Sequence, residues 1–420
     1  MERTNIGLLL AKIESSYGGE VYPTGANVIA VTREGVNWAP QIERATRSIL
    51  DGSQERITGH NTMPTVTLSF RVELRGNRTN GGTDTDITSG DVAQALTIDP
   101  LLRACDLLAT YTAESTNGAR DGYVTYTPTI PAAEGSSVTF HWYSGGKLHR
   151  VIGAKGTVKG VLEAGKMAYL DFEFRGLIDY VVDAAIPDGS YSYLSAVTLS
   201  GGGSGYQIGN VLTLAGGTGT AATVLVTATH PATDAVTAVR VLSVGKYTVA
   251  PSSPNAATGG GGTSVSLTVT FQTMTAPSWL NTKPPLFSSA ASTIGSYSPV
   301  FSRLEFDLGN NLIRRDDANS VRGIKGFAMS DRMPKASINP ESVAEASNPI
   351  WADLIDSVHR TISAVLGTDS GNRIALTLKG SPENVAYGDS SGNRITSISY
   401  DLCREELDDA ANEILQLKFY

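Results

Sequence analysis

Three separated segments alternate apolar and charged residues with a period of two. They are Phe70-Arg71-Val72-Glu73-Leu74-Arg75-Gly76, Tyr169-Leu170-Asp171-Phe172-Glu173-Phe174-Arg175-Gly176 and Arg303-Leu304-Glu305-Phe306-Asp307-Leu308-Gly309. That period belongs to β-strands, in which successive side chains point to opposite faces of a sheet. One face can join a core while the other must meet water, so antiparallel sheets with a charged side are the expected framework. The candidate wetted face consists of Arg71, Glu73, Arg75, Asp171, Glu173, Arg175, Arg303, Glu305 and Asp307. The fold class is therefore expected to be mainly β.

Helix signals are few, and two of them match. Asp99-Pro100-Leu101-Leu102-Arg103-Ala104-Cys105 and Asn348-Pro349-Ile350-Trp351-Ala352-Asp353-Leu354 each place a capping side chain before a proline at the first helical position. Leu101, Leu102, Cys105 and Leu108 in one, and Ile350, Trp351, Leu354 and Ile355 in the other, are expected to pack on a sheet. The segments C-terminal to the two helices also correspond. Val138 to Trp142, Ser144-Gly145-Gly146, a strand to Lys155-Gly156, Gly165 and a closing strand to Gly176 answer to Thr361 to Leu366, Ser370-Gly371, a strand to Lys379-Gly380, Gly392 and a closing strand to Leu402. An internal duplication is therefore expected. Two polar, glycine-punctuated excursions, Asp51 to Thr62 and Ala113 to Ser137, distinguish the first copy.

Between the copies lies a different composition. Ser195 to Gln272 contains 13 glycines and only Asp234, Arg240 and Lys246 as charges. Val211 to Leu214, Ala222 to Thr227, Val236 to Val244 and Ser264 to Phe271 read as short strands of a small all-β unit. Tyr206 and Tyr247 each follow a glycine-containing stretch, as in two related hairpins. The expected organisation is a first domain over 1–190, the Gly-rich inserted module over 191–275 and a second domain over 276–420. A chain of 420 residues has room for that number of cores.

Composition narrows function. Acidic groups outnumber basic ones 41 to 33, which disfavours a protein that clamps nucleic acid through phosphate contacts. Cys105 and Cys403 are too few for a disulfide framework or a cysteine zinc site, so folding in a reducing cytoplasm is expected. The apolar run Ile6 to Ala11 is short and leads into Lys12 and Glu14, unlike a signal peptide or a membrane span.

No catalytic constellation assembles. His60, His141, His149, His230 and His359 are scattered; His141 and His149 could meet on paired strands, but His141 beside Trp142 reads as a surface strand residue. Every Gly-Lys pair is followed by Leu, Met or Tyr rather than Ser or Thr, so the phosphate-binding loop is missing. Gly203-Ser204-Gly205 is followed by Ile208 where a dinucleotide site needs its third glycine, and Gly202 to Tyr206 ends in tyrosine where a nucleophile elbow needs glycine. Asp171 and Glu173 share a face and could in principle do acid–base work. Arg175, with Arg71, Glu73 and Arg75, makes a solvated mixed-charge surface the stronger account; Asp316-Asp317 and Asp408-Asp409 read as surface charges. No enzyme, cofactor or metal is expected.

The flanks resemble the major tail tube protein of bacteriophages with long, non-contractile tails. The resemblance rests on Leu8-Leu9-Leu10-Ala11-Lys12-Ile13-Glu14-Ser15-Ser16-Tyr17-Gly18 with Pro23-Thr24-Gly25-Ala26-Asn27, and on Val72-Glu73-Leu74-Arg75-Gly76. In the second half Leu304-Glu305-Phe306-Asp307-Leu308-Gly309-Asn310, Gly323-Ile324-Lys325-Gly326-Phe327 and Asp331-Arg332-Met333-Pro334 carry it. Together these cover most of 1–187 and 277–420. The departure is the Gly-rich module, which is similar to small β modules of phage structural proteins.

The resemblance implies a β-sandwich or barrel with a flanking helix, whose strands join a closed ring that stacks into a hollow tube for DNA. It implies a virion protein of the tail, made and assembled in the host cytoplasm. Its partners would be other copies of itself, the tape measure, terminator and distal tail proteins, and DNA in non-specific passage, with no membrane. A duplicated tube fold favours three chains per ring, with six quasi-equivalent units, over six chains. The alternative is a tail-tip or surface binding protein whose Gly-rich module recognises a host glycan, for which Tyr206, Tyr247 and Phe271 are the only aromatics between Ser195 and Gln272.

Overall fold

The computed structural model describes residues 6–19, 21–50, 55, 57–76, 96–112, 122–128, 135–288, 291–320, 323–368, 371–405 and 414–420. The protein is mainly β, built of antiparallel sheets that include a curled half-barrel, with two short α-helices among the described residues. Among the described residues no helix is long and apolar enough to cross a membrane.

Before the Gly-rich segment the strands are β1 (Gly7–Ile13), β2 (Val28–Ile29), β3 (Val31–Ala45), β4 (His60–Glu73), β5 (Leu107–Thr112), β6 (Tyr123–Pro128), β7 (Val138–Ser144), β8 (Lys147–Glu163) and β9 (Tyr169–Asp183), with α1 (Asp99–Ala104) after β4. The Gly-rich region holds β10 (Tyr191–Ser204), β11 (Val211–Leu214), β12 (Thr218–Thr220), β13 (Thr223–Thr229), β14 (Val236–Ser243), β15 (Lys246–Val249), β16 (Asn255–Thr258) and β17 (Thr263–Met274). Then come β18 (Thr293–Ile294), β19 (Phe301–Asp307), β20 (Asn310–Asp316), β21 (Ile324–Arg332), β22 (Lys335–Pro340), α2 (Ile350–Asp356), β23 (Arg360–Leu366), β24 (Ile374–Ser390), β25 (Asn393–Asp401) and β26 (Leu415–Phe419).

The order strand, long strand, strand follows the helix directly in α2, β23, β24, β25, and follows α1 in β7, β8, β9 with β5 and β6 intervening. The long strands differ from the sequence expectation. Each runs unbroken through the Lys-Gly pair that was expected to end it, Lys155-Gly156 in β8 and Lys379-Gly380 in β24. Glycine is what lets them pass, because a Cβ at Gly156 would meet the Phe174 ring and the Glu173 carbonyl, and one at Gly380 would meet the Asp401 carbonyl. The first part of β8 pairs with β7 and its last part with β19; the first part of β24 pairs with β23 and β26, its last part with β25 alone.

This hand-over produces a run of eight hydrogen-bonded antiparallel strands, β3-β4-β9-β8-β19-β22-β25-β24. Its two halves meet at β8 and β19, where Leu162 lies beside Leu304 and Gly160 beside Phe306. One face carries Val66, Leu68, Phe70 and Val72 of β4, Leu170, Phe172 and Phe174 of β9, and Leu304 and Phe306 of β19 into a single core shared by both halves. Full burial of each such side chain contributes roughly 1.5–3 kcal/mol. Phe70, Phe172, Phe174 and Phe140 stack or meet edge-on at centroid separations of 4.9–5.9 Å.

The helices are shorter than their sequence patterns. Leu101, Leu102 and Cys105 are buried, but Leu108 lies in β5 and is 52% exposed. In the second helix Ile350 is buried while Ile355, about 140° further around the helix at 3.6 residues per turn, is 79% exposed. The expected caps also differ. α1 begins at Asp99 itself, whose carboxylate accepts the Tyr126 hydroxyl at 2.8 Å, and Pro349 rather than Asn348 precedes α2. Burial raises the Asp99 carboxyl above its ordinary range.

The Gly-rich region forms its own sheet, β12-β15-β10-β17-β16-β11-β13-β14, around a separate core that includes Leu194, Leu212, Val224, Val241 and Leu267. Many of its glycines make turns. Gly245 has φ 70°, and a Cβ there would meet the Thr220 carbonyl, the Ala222 amide and the Tyr247 ring. The expected strands are present, and β10, β12, β15 and β16 were not foreseen. Tyr206 and Tyr247 are both buried to 1% exposure, and the Tyr247 hydroxyl accepts the Ala222 amide at 2.6 Å.

Of the two expected excursions, Ala113 to Ser137 contains β6, and Asp51 to Thr62 ends in β4. Residues 113–121, 129–134, 51–54 and 56 lie outside the described residues, as do Asp408 and Asp409.

Candidate assembly face

The wetted face of the eight-stranded run brings most of the expected residues together. Across the strand register Arg71 lies beside Asp171, Asp171 beside Lys159, Lys159 beside Asp307, Asp307 beside Lys335, and Lys335 beside Asp401. Six neighbouring strands thus present charges of alternating sign in one row. Arg71 donates to both oxygens of Asp171, at 2.6 and 2.9 Å, and this pairing raises its already high pKa. Lys159 also approaches Glu305 at 3.7 Å, and Arg303 binds Glu305 and approaches Glu163 at 4.0 Å. Glu173 pairs with Arg175 at 3.5 Å.

Arg71, Lys159, Glu163, Tyr169, Arg303 and Glu305 line an open depression of about 450 Å³ on this face. Its four cations, Arg71, Lys159, Lys166 and Arg303, are interleaved with three carboxylates, Glu163, Asp171 and Glu305, so its surplus is a single positive charge. Strands about 4.8 Å apart repeat such a row every ~10 Å, so its field cancels within a few ångströms of the wall, well inside a Debye length of about 8 Å. Each exposed pair contributes about 0–1 kcal/mol, so the row is a stronger statement about electrostatics than about stability.

Arg75 does not extend the row. It lies past the end of β4, where its guanidinium donates to the carbonyls of Leu280 and Thr282. Lys159, Lys335 and Asp401 were not among the expected residues. The alternation Thr157, Lys159, Val161, Glu163 in β8 carries the same period-two signal, weakened by Val161.

The run has two edges. Among the described residues β3 pairs only with β4, and the last part of β24, from Ser381, pairs only with β25. At the β24 edge Tyr387 is 49% exposed; the Trp351 indole donates to its hydroxyl at 2.7 Å, and the Arg394 guanidinium lies 3.5 Å from its ring centre.

Other groups flagged by sequence are structural. His141 is buried rather than at a surface, packed edge-on against Tyr22, and burial together with Arg150 holds its pKa well below the usual imidazole range. It lies beside Arg150 in register, while His149 packs between Trp38 and Trp142. Glu14 is buried and accepts four donors: the Gly18 amide at 2.7 Å, Ser137 Oγ at 2.5 Å, Thr139 Oγ1 at 2.7 Å and the Gly153 amide at 2.7 Å. Tyr17 donates to the Gly153 carbonyl at 2.8 Å and accepts the Phe327 amide at 2.6 Å, tying the N-terminal segment to the second half.

The Gly-rich region is fastened to β8 and β9 by a buried triad. Asp179 of β9 binds Arg150 of β8 and Arg240 of β14, and Arg150 also donates to the Val241 carbonyl at 3.1 Å. Lys246 of β15 pairs with Asp188 at 2.6 Å. No protein-family model and no curated protein matches this chain.

Proposed function

We propose that this chain is a structural, non-catalytic subunit that assembles with copies of itself into a ring of β-strands. More particularly, it serves as the major tail tube protein of a bacteriophage with a long, non-contractile tail, and its rings stack into the hollow tube through which DNA passes to the host. The observation that carries the reading is the eight-stranded run with one apolar and one charge-alternating face, whose β3 edge and β24 edge from Ser381 find no partner among the described residues. Unpaired edges invite another chain, and closing a ring removes them.

The alternating row suits a wall past which a polyanion must slide. A cationic lumen would hold phosphates through counterion release, and a strongly anionic one would repel them. The two four-strand halves, β3-β4-β9-β8 and β19-β22-β25-β24, favour three chains per ring with six quasi-equivalent units over six chains. Such a protein acts in the virion tail, after assembly in the host cytoplasm, with tape measure, terminator and distal tail proteins as partners. The glycan-binding alternative loses support from the burial of Tyr206 and Tyr247, which leaves Phe271, itself partly buried, as the one of its three named rings that reaches the surface.

Electron microscopy and native mass measurement of purified protein, across salt and concentration, test the reading. Rings or tubes of three chains per turn are expected. A strictly monomeric species throughout would refute the tube assignment, and rings of six chains would refute the trimer alone.

A further inference from the structure

We propose that a second copy of this chain lays its β3 edge against the free part of β24 in the register of the internal β8–β19 joint, with Tyr387 as the anchor. This rests on the ring reading above and specifies the contact that closes the ring.

The internal β8–β19 joint is the template for the joint between chains. The core-facing row Val31, Val72, Leu170, Gly160 runs across β3-β4-β9-β8, and the row Leu304, Ile338, Ile398, Val385 runs across β19-β22-β25-β24. One row further on, Val36, Phe70, Phe172 and Val158 answer to Phe306, Ala336, Tyr400 and Pro382. Val31 therefore occupies the place of Leu304, Val36 that of Phe306, and Val385 that of Gly160, with the irregularity of β3 between Val31 and Val36 standing where Glu305 alone separates Leu304 from Phe306. Two residues on, Tyr387 occupies the place of Leu162.

Inside the chain Leu162 pairs with Leu304 and Gly160 with Phe306. Between chains the same register sets Tyr387 beside Val31 and Val385 beside Val36. The volumes agree. Gly160 leaves the room that the Phe306 ring fills, whereas Val385 and Val36 divide that space evenly. The polarity agrees too, because eight alternating strands leave β3 and β24 running in opposite directions, and the new joint is antiparallel like the internal one.

Exposure marks the missing neighbour. Leu162 is fully buried by its joint, while Tyr387 in the equivalent place is half exposed although Trp351 and Arg394 already hold it in position. A tyrosine pre-ordered by Trp and Arg is the composition of an interface anchor.

The test places cysteines at Val31 and Tyr387 in a Cys403→Ser background, with Cys105 left in place because it is buried. Directly opposed residues of an antiparallel pair come close enough for a disulfide. Mild oxidation of the assembled double variant is expected to convert most chains to a covalent closed ring, whereas Asn37→Cys with Val385→Cys, one residue out of register in the regular part of β3, stays unlinked. In wild-type protein, hydrogen exchange at 31–37 and 384–388 should slow at least tenfold on assembly, a readout that survives if the cysteine variant fails to assemble. Assembled rings with neither the cross-link nor the protection, or equal linking of the out-of-register pair, overturn the joint while leaving the ring reading intact. A wild-type protein that never assembles overturns both.

Discussion

Replacing Asp179 by asparagine should loosen the Gly-rich region from the rest of the chain more than any other single polar substitution. The Asp179 side chain is 1% exposed and Arg150 3%, so both ions of that pair have left water, while Arg240 is 22% exposed and keeps part of its hydration. Breaking a buried ion pair by removing one partner costs about 3–5 kcal/mol, because the remaining charge stays buried and uncompensated. The exposed end adds about 0–1 kcal/mol. Asp179→Asn is therefore expected to cost ~4 kcal/mol, and Arg240→Met, which leaves the Arg150 pair standing, only ~1 kcal/mol. Replacing the whole triad, Arg150→Met with Asp179→Leu and Arg240→Met, should return to within ~1 kcal/mol of wild type, since the desolvation of three ions disappears along with their attraction. Urea unfolding followed by tryptophan fluorescence measures the total, and limited proteolysis between Ala184 and Gly189 reports the local release. If Asp179→Asn costs less than ~1 kcal/mol, or the triple variant is as damaged as the single one, the triad is not what fastens the region.

Three further outcomes concern the buried polar groups and the internal joint. Glu14→Gln should cost about 2–3 kcal/mol in denaturant unfolding, because either amide orientation points an NH2 at the Gly18 or the Gly153 amide; an unchanged midpoint would contradict the four-donor geometry. Gly160→Val should cost at least about 1–3 kcal/mol, since even a Cβ there enters the Phe306 ring, and a neutral result would show that the joint has slack. For His141 the native pKa lies well below that of the unfolded chain, so between pH 7.5 and 5.5 the unfolded state binds the proton and the native state does not. Stability should fall by about 1.4 kcal/mol over that window for an unfolded pKa near 6.5, and His141→Gln should flatten the pH profile by that amount; parallel profiles would refute it.

The period-two signal made the framework legible. Phe70 to Glu73, Leu170 to Phe174 and Arg303 to Asp307 each split between core and water as their alternation requires. The same logic failed where tertiary context decides. Leu108 continues a helical pattern whose helix stops early, Ile355 lies away from the buried side of its helix, and Arg75 continues a strand pattern beyond its strand. The row of alternating charge was only partly legible, since its order depends on the β8–β19 and β22–β25 registers, which bring together residues far apart in the chain. Glu14 and Tyr17 drew attention through a family likeness, but their work of satisfying buried donors and bridging to Phe327 depends on folds of the chain that no local pattern encodes.

The scarcity of charge in the Gly-rich region turns out to carry information about how that region is mounted. Of Asp234, Arg240 and Lys246, both cations reach carboxylates outside the region's own sheet, Asp179 and Asp188. A low-charge β unit has little need of ions to fold, and its own core is built from Leu, Val and Tyr. The ions it does carry are therefore available to fix it to its neighbour, one in a buried triad and one at the surface. A module on a free linker would leave those cations to solvent. Of these two ionic contacts the buried one at Asp179 outweighs the exposed one, with Tyr22 adding an apolar contact to the region's core, so salt, which screens Lys246 and Asp188, should leave the attachment nearly unchanged. Proteolytic release at the 184–189 linker that rises steeply with salt would mean that the exposed pair holds the region instead.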